Sequence, residues 1–232
     1  LFLLGGWQTA ELMVDIVPLF ETIGDLENAP AIMETLYFYP VYSAHLKKRN
    51  HKQTIMLGFS DGTKDGGYMM ANWSIYKAKE ALTTLSKQYG FDVVFFDGRG
   101  GPPARGGGKT HNFYASLGPK ISNKEIQLTI QGQTVSSSFG TLDAAQFNIE
   151  QLLHAGISNE VFPQQNEMTA SEAVLIQEIA DVGFDAYKSL KDHPNFADYL
   201  LHASPLRFYA ATNIGSRPSK RGAGTKLRMQ DL

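Results

Sequence analysis

Short apolar runs alternate with longer amphipathic runs over most of the chain, and this alternation limits the folds open to it. Short apolar runs between turn residues are typical of buried strands, whereas apolar residues three and four apart are typical of helices. A strand, a helix and a further strand in succession form the repeating unit of parallel α/β proteins. The pattern therefore predicts an α/β fold that is rich in helix.

The same alternation divides the chain into candidate elements. Strands are predicted at residues 14–20, 54–59, 91–96 and 126–130. Helices are predicted at residues 25–36, 68–89, 142–153, 170–190 and 196–201. No internal repeat of the length found in solenoids or propellers is present in the sequence.

Polar residues follow the first three predicted strands at the point where each strand ends. Glu21 follows the first strand, Asp61 and Lys64 follow the second, and Arg99 and Arg105 follow the third. The carboxyl ends of parallel strands meet on one rim, both in α/β barrels and in open α/β sheets. We therefore expect these side chains to share a pocket.

A glycine-rich segment, residues 98–111, follows the third predicted strand and contains Arg99 and Arg105. Its glycines expose backbone N–H groups, and the planar guanidinium of arginine suits a phosphate or a carboxylate. The segment is therefore predicted to wrap an oxyanion. Residues 103–110 are similar to a Walker phosphate loop, except that Pro103 stands where that loop needs its first glycine. A phosphate-binding or nucleotide-binding module that uses this segment stays open as an alternative function.

Residues 58–67 form a second group of functional residue types, with Asp61, Lys64 and Asp65 on a predicted tight loop before a helix. One or two carboxylates, with water and substrate in the other positions, suit Mg²⁺ or Mn²⁺. Asp61 is the better candidate for a ligand. Asp65 is open to capping the following helix or to pairing with Lys64, and Lys64 is open to simple solvation.

Charge and cysteine content exclude several functional classes. The 232 residues include 21 Lys+Arg against 23 Asp+Glu, so no general basic field attracts nucleic acid or an anionic membrane. No apolar run approaches the ~18 residues that cross a bilayer. Cysteine is absent, which is compatible with a reducing compartment. We expect a cytoplasmic protein with no nucleic-acid partner and no membrane partner.

Four blocks of sequence, taken together, resemble a known enzyme family. They are residues 20–26, residues 56–67, the double Arg-Gly-Gly segment, and residues 215–221, which read Gly-Ser-Arg-Pro-Ser-Lys-Arg. Their composition and order are similar to those of phosphoenolpyruvate carboxylase, and the similarity covers nearly the whole chain. The resemblance implies that residues 1–232 form a single piece of that enzyme's catalytic barrel, a helix-rich and partial TIM-like (β/α) barrel.

The resemblance also implies a reaction and a metal site. Members of the family carboxylate phosphoenolpyruvate with bicarbonate in a carbon-fixation reaction that yields oxaloacetate and phosphate through carboxyphosphate and a pyruvate enolate. Glu21 and Asp61 match the family's metal-binding carboxylates, which hold Mg²⁺ or Mn²⁺. Lys64 stands beside them as a cation near the substrate.

Three arginines match family residues that handle anions. Arg99 and Arg217 match arginines that grip the substrate phosphate and carboxyphosphate. Arg105 matches the arginine of a loop that closes over the site, and the inhibitor aspartate contacts that arginine in the family. The resemblance further implies that the full-length enzyme is a homo-oligomer, a tetramer.

The chain departs from the family pattern at Asp97, where histidine is usual, and at Ala104 and Lys109, where glycine and proline are usual. The role of that histidine is therefore open in this chain. The 232 residues also lack the family's catalytic histidine, an earlier phosphate-binding arginine and the carboxy-terminal helices that hold most of the aspartate site. We therefore expect this internal piece to bind metal weakly and not to carboxylate alone.

Overall fold

The computed structural model describes residue 6, residues 12–98, 108–122, 124–130, 133–162 and 167–205, and residue 208. Its strands are β1 (Leu19–Phe20), β2 (Lys52–Leu57), β3 (Asp92–Asp97) and β4 (Ile126–Leu128). Its helices are α1 (Ile23–Phe38), α2 (Pro40–Lys48), α3 (Phe59–Gln88), α4 (Thr110–Ala115), α5 (Gln133–Phe139), α6 (Leu142–Val161), α7 (Ala170–Lys191) and α8 (Phe196–Ala203). The predicted helix-rich α/β class is confirmed.

The four described strands form one parallel sheet in which the strand order is the same as the chain order. Helices α1 and α2 connect β1 to β2, α3 connects β2 to β3, and α4 lies between β3 and β4. A doubly wound sheet reverses its strand order at a switch point, whereas a β/α barrel adds each new strand beside the last. The observed order is therefore consistent with the predicted partial barrel.

Both faces of the central strands are covered. Val93, Val94 and Phe95 are all buried although successive side chains of a strand point to opposite faces. Consecutive buried residues of this kind are typical of parallel strands with helices on the faces of the sheet. On one face, α1 packs against α3, and the buried hydroxyl groups of Tyr37 and Ser86 are hydrogen-bonded at 2.8 Å.

The prediction of the first strand is mostly wrong. The strand was expected at residues 14–20, but only Leu19 and Phe20 pair with β2, and residues 14–18 belong to no strand. Pro18 has no N–H to donate to a neighbouring strand, although its carbonyl accepts from the N–H of Met56. At Ile16 the carbonyl accepts from the side chain of Gln53 instead of from a strand backbone.

The second predicted strand and its helix have shifted boundaries. The strand was expected at residues 54–59 and the helix at residues 68–89, with a loop between them. In the structure β2 ends at Leu57, and α3 begins at Phe59 directly after Gly58. The segment that was expected to be a loop is therefore the first part of a helix, which breaks at Gly67.

The remaining elements agree with the sequence patterns in kind but differ in length. The helix expected at residues 142–153 continues to Val161, and the strand expected at residues 126–130 ends at Leu128. The short helices α2, α4 and α5 were not predicted. Each has nine residues or fewer, which is too short for an apolar period to be distinguished from chance.

None of the helices in the described ranges combines the length and the apolar character that a membrane crossing requires.

Candidate active site at the carboxyl end of the sheet

Strand register brings three chain segments to one row at the carboxyl end of the sheet. Phe20 is paired with Leu57, and Leu57 is paired with Asp97. The residues that follow these three partners are Glu21, Gly58 and Gly98. The predicted rim is therefore present for the described residues of the first three strands.

The side chain of Glu21 lies directly over Gly58. An ideal Cβ on Gly58 would be 2.6 Å from Cγ of Glu21 and 2.9 Å from its Oε1 atom. Gly58 has φ of −90°, which any residue can adopt, so glycine is needed at this position for space and not for backbone conformation. Because glycine has no side chain, the carboxylate of Glu21 occupies the space over Gly58, which is called here the Gly58 cradle.

A capping box fixes the backbone around Glu21 at the start of α1. The hydroxyl of Thr22 accepts from the N–H of Asp25 at 3.1 Å. Oδ2 of Asp25 in turn accepts from the N–H groups of Thr22 at 3.0 Å and Glu21 at 3.4 Å. The hydrogen bonds from the backbone and side chain of Thr22 lower the pKa of Asp25, so this carboxylate stays charged near neutral pH.

Asp61 lies in the first turn of α3, where the helix dipole favours a negative charge. Its carboxylate is 3.7 Å from the Nζ atom of Lys64, and the side chains of Asp61 and Lys64 are 36% and 50% exposed. The turn that carries Asp61 follows Gly58 directly, and the ideal Cβ of Gly62 would be 3.0 Å from the carbonyl oxygen of Glu21. Glu21 and the helical turn of Asp61 are therefore packed against each other.

Asp65 has a different role from those considered for it. It neither caps the helix that follows it nor pairs with Lys64. Its Oδ2 atom accepts from the N–H of Ile23 at 3.1 Å, so it caps the first residue of α1. Its Oδ1 atom is 3.8 Å from Nζ of Lys191 on α7. Asp65 therefore connects the turn of Asp61 to the segment of Glu21.

Two carboxylates, from Glu21 and Asp61, are the hard oxygen donors that this rim offers to a divalent cation. No group of three or more His, Cys, Asp or Glu side chains that could hold a metal ion occurs among the residues that the structure describes. A cation bound here would therefore complete its shell with water and substrate oxygens, which is how Mg²⁺ is usually held in proteins. The cradle at Gly58 and the choice of donors fit such a cation.

Asp97, the atypical residue before the glycine-rich segment, is a buried member of an ion pair. Its Oδ1 and Oδ2 atoms are each 2.9 Å from Nζ of Lys79 on α3, and Oδ2 also accepts from the hydroxyl of Tyr114 on α4 at 2.7 Å. Asp97 is 2% exposed, Lys79 1% and Tyr114 3%. The three side chains form a closed polar cluster, called here the Asp97 cluster.

The electrostatics of the Asp97 cluster keep the hydroxyl of Tyr114 protonated, so that it donates its hydrogen bond to Asp97. Burial raises the pKa of its hydroxyl strongly, and both the negative charge of Asp97 and the hydrogen bond to it act in the same direction. The ammonium of Lys79 also lies within 6 Å of three aromatic ring centres, those of Phe95, Phe113 and Tyr114. All the polar groups of the cluster are thus paired.

The sequence contained one signal that pointed to Lys79, and it was missed. Lys79 is three residues from Tyr76 and three residues from Leu82, so it lies on the apolar face of α3. A lysine on that face needs a buried anion, because an unpaired buried charge costs too much free energy. Tyr114 had no comparable signal, since α4 was not predicted.

The three predicted arginines, Arg99, Arg105 and Arg217, lie outside the described residues. The convergence of Glu21 with the turn of Asp61 and Lys64 is therefore the part of the predicted pocket for which the structure gives positions.

Replacing Gly58 by alanine should displace the side chain of Glu21. We expect Gly58→Ala to destabilise the protein by about 1–3 kcal/mol in urea unfolding, because the new Cβ overlaps Cγ of Glu21. The control is Gly24→Ala on α1, where the added Cβ would enter open space and where alanine favours the helix.

A double-mutant cycle separates this overlap from a change in helix capping at Gly58. In a Glu21→Ala background the penalty of Gly58→Ala should fall by about 1 kcal/mol or more. A penalty that is the same in both backgrounds would show that Glu21 does not occupy the cradle.

Removing the ammonium of Lys79 from the Asp97 cluster should destabilise the protein. We expect Lys79→Met to lower the free energy of unfolding by about 3–5 kcal/mol, because Asp97 is left buried and charged without its partner. Lys87→Met, on the exposed side of the same helix, should change it by less than about 1 kcal/mol. Adding Asp97→Asn to Lys79→Met should recover part of the loss, and a further loss of stability would contradict the pairing.

Residues 4–232 of the chain match the family model described as phosphoenolpyruvate carboxylase. The match includes all four blocks on which the resemblance was based, and it includes the segments that carry Glu21, Asp61 and the Asp97 cluster. Enzymes of this family are carboxy-lyases that use phosphoenolpyruvate and bicarbonate and generally depend on a divalent metal. With nearly every residue covered by the match, this chain belongs to the phosphoenolpyruvate carboxylase family.

Proposed function

We propose that this chain supplies the cation-binding and phosphate-handling part of an active site that converts phosphoenolpyruvate and bicarbonate into oxaloacetate and phosphate. The observation that supports the proposal most directly is the packing of the Glu21 carboxylate over Gly58, beside the helical turn of Asp61. A phosphate-binding or nucleotide-binding module would not need a carboxylate after each of its first two strands.

In this proposal Glu21 and Asp61 hold Mg²⁺ or Mn²⁺. The cation, when bound, supplies positive charge to the oxygens of the substrate. Lys64 adds a second positive charge, and the 3.7 Å between its Nζ atom and the carboxylate of Asp61 keeps that charge beside the site. The partial exposure of Asp61 and Lys64 leaves both groups accessible to a ligand.

Three arginines complete the proposed set. Arg99 and Arg217 would grip the phosphate of the substrate and of carboxyphosphate, and Arg105 would close over the site and contact an inhibitory aspartate. These roles rest on the match of their sequence blocks to the family. A guanidinium suits them because its planar fork binds two oxygens of a phosphate or carboxylate at once.

The reaction moves negative charge from oxygen to oxygen. Bicarbonate attacks the phosphorus of phosphoenolpyruvate, the bond to the enol oxygen breaks, and carboxyphosphate and the enolate of pyruvate result. Carboxyphosphate releases CO₂ and phosphate, and the enolate carbon then takes up the CO₂ to give oxaloacetate. A fixed cation at about 4 Å from such a charge is worth roughly 4 kcal/mol at an intermediate dielectric, before desolvation costs.

The 232 residues are proposed to act as a single piece of the catalytic barrel in a cytoplasmic enzyme, and oxaloacetate made there would replenish the tricarboxylic acid cycle. Two protein carboxylates alone bind a divalent cation weakly, since most of its shell is left to water. The substrate should therefore strengthen cation binding.

Manganese binding tests the two carboxylates. We expect Glu21→Gln and Asp61→Asn each to weaken Mn²⁺ binding by about tenfold or more, because each removes a charged ligand, measured by the EPR signal of free Mn²⁺ with a phosphoenolpyruvate analogue present. Glu27→Gln, an exposed carboxylate on α1, is the control and should change the affinity by less than about twofold.

The same assay tests the alternative function. ATP in place of the analogue should not produce the same dependence on Glu21 and Asp61. Equal Mn²⁺ affinity in the wild type and in the Glu21→Gln/Asp61→Asn double variant would refute the proposed cation site.

Turnover tests whether the chain is sufficient alone. We expect a coupled malate dehydrogenase assay to detect no substantial oxaloacetate from the 232 residues with Mg²⁺, phosphoenolpyruvate and bicarbonate, because the family's catalytic histidine is not among them. Oxaloacetate added directly is the control for the coupling enzyme. Substantial production by the chain would overturn this expectation.

A further inference from the structure

We propose that Lys191 and Tyr187 of α7, together with Asp65, are positioning residues that hold the helical turn of Asp61 against the start of α1. Glu21 lies two residues before α1, so the contact sets the position of one carboxylate relative to the other. The inference rests on the proposed cation site and extends it to residues that would not touch the cation.

The turn of Asp61 belongs to a short helical piece that is separated from the rest of α3. Helical geometry is interrupted at Gly67, where φ is +77° and ψ is 171°. The carbonyl groups that precede such a break lack partners further along the helix. Groups outside α3 are therefore able to bind the last carbonyls of residues 59–66.

Helix α7 supplies those contacts. The hydroxyl of Tyr187 donates to the carbonyl of Lys64 at 2.9 Å. The ammonium of Lys191 donates to the carbonyl of Asp65 at 3.0 Å and to that of Lys64 at 3.3 Å. A lysine at the carboxyl end of a helical piece satisfies its last carbonyls and interacts favourably with its dipole.

The break at Gly67 is shaped for this contact. Its positive φ favours glycine, and an ideal Cβ would be only 3.2 Å from Cγ of the Tyr187 ring. The ring of Tyr187 is thus seated against the backbone at the break while its hydroxyl reaches back to Lys64. Both α7 side chains act on the same short stretch of backbone.

Asp65 carries the connection from α7 to α1. Its Oδ1 atom is 3.8 Å from the ammonium of Lys191, and its Oδ2 atom accepts from the N–H of Ile23, the first residue of α1. The ideal Cβ of Gly66 would be 2.6 Å from Cγ1 of Ile23, so the two segments are also in close packing contact. A continuous set of contacts therefore runs from α7 through Asp65 to Ile23, which is two residues after Glu21.

The ion pair between Lys191 and Asp65 is too long, at 3.8 Å, to be mainly a source of stability. The side chains of Lys191 and Asp65 are 18% and 41% exposed, and ion pairs at such positions contribute little to folding free energy. Their geometric effect is larger, because helical geometry is interrupted at Gly67 and the α7 side chains bind the last carbonyls before this break. Loss of Lys191 should therefore affect the site more than it affects the fold.

The test combines hydrogen exchange, Mn²⁺ binding and thermal unfolding of the 232-residue chain. Lys191→Met removes the cation, Asp65→Ala removes the cap, Tyr187→Phe removes the hydroxyl alone, and Lys191→Arg is the conservative variant. Lys188→Met is the matched control, since Lys188 is on the same helix with its ammonium over the ring of Phe184.

We expect the amide of Ile23 to exchange about tenfold faster in Asp65→Ala and at least threefold faster in Lys191→Met, measured by NMR. In Lys191→Met the Mn²⁺ dissociation constant should rise about fivefold with the phosphoenolpyruvate analogue present, while Tm stays close to that of the wild type. Tyr187→Phe should show a smaller shift in the same direction. Lys191→Arg should restore both readouts, and Lys188→Met should leave both unchanged.

The two readouts separate the inference from the function on which it rests. Unchanged Ile23 exchange in Lys191→Met would overturn the inference, and so would faster exchange with unchanged Mn²⁺ affinity. A wild type that binds no Mn²⁺, with exchange that still responds to Lys191→Met and recovers in Lys191→Arg, would refute the proposed cation site and support the bracing role of α7.

Discussion

Parallel pairing in strict chain order is the constraint on which the rest of this structure depends. Because Phe20, Leu57 and Asp97 are in register, the residues after them emerge side by side although about 40 positions separate each from the next along the chain. Two of these successor residues are glycines, and the third is Glu21. The rim therefore combines one carboxylate with two positions that carry no side chain, and the side chain of Glu21 fills the space over one of them, Gly58.

The helical turn of Asp61 is stable only because its neighbours compensate for its sequence. Residues 59–67 contain three glycines, which lower helix propensity, and the last of them breaks the helix. Packing against the carbonyl of Glu21, the cap that Asp65 places on α1 and the contacts from α7 offset this weakness. The position of this segment is therefore set by its tertiary contacts and not by its own helix propensity. Such an arrangement suits Asp61, whose carboxylate must be placed accurately in the proposed site.

The sequence predicted the helix-rich α/β class and placed β2, β3 and β4 to within two residues, because these depend on local apolar patterns. The assignment of Glu21 and Asp61 as metal ligands rests on the family resemblance and stays a prediction. Residues 58–67 were predicted as a loop, since glycine content and turn chemistry favour that interpretation, and tertiary packing overrode it. Asp65 was assigned to its own segment, whereas its partners are Ile23 and Lys191, more than 40 and more than 120 residues away in sequence. Pairings over such distances leave no trace in spacing or composition, so one sequence could not reveal them.

Asp97 shows how a departure from a family pattern is resolved by the structure. A carboxylate at this buried position would be costly alone, and its partner Lys79 was not recognised although it lies on the apolar face of α3. Lys79 and Tyr114 supply three short contacts, which satisfy the carboxylate and join β3 to α3 and α4. A buried ion pair adds little net stability compared with apolar packing, but it fixes direction as well as distance. Asp97 precedes the glycine-rich segment and Tyr114 follows it, so the cluster fixes the described residues on both sides of that segment relative to each other.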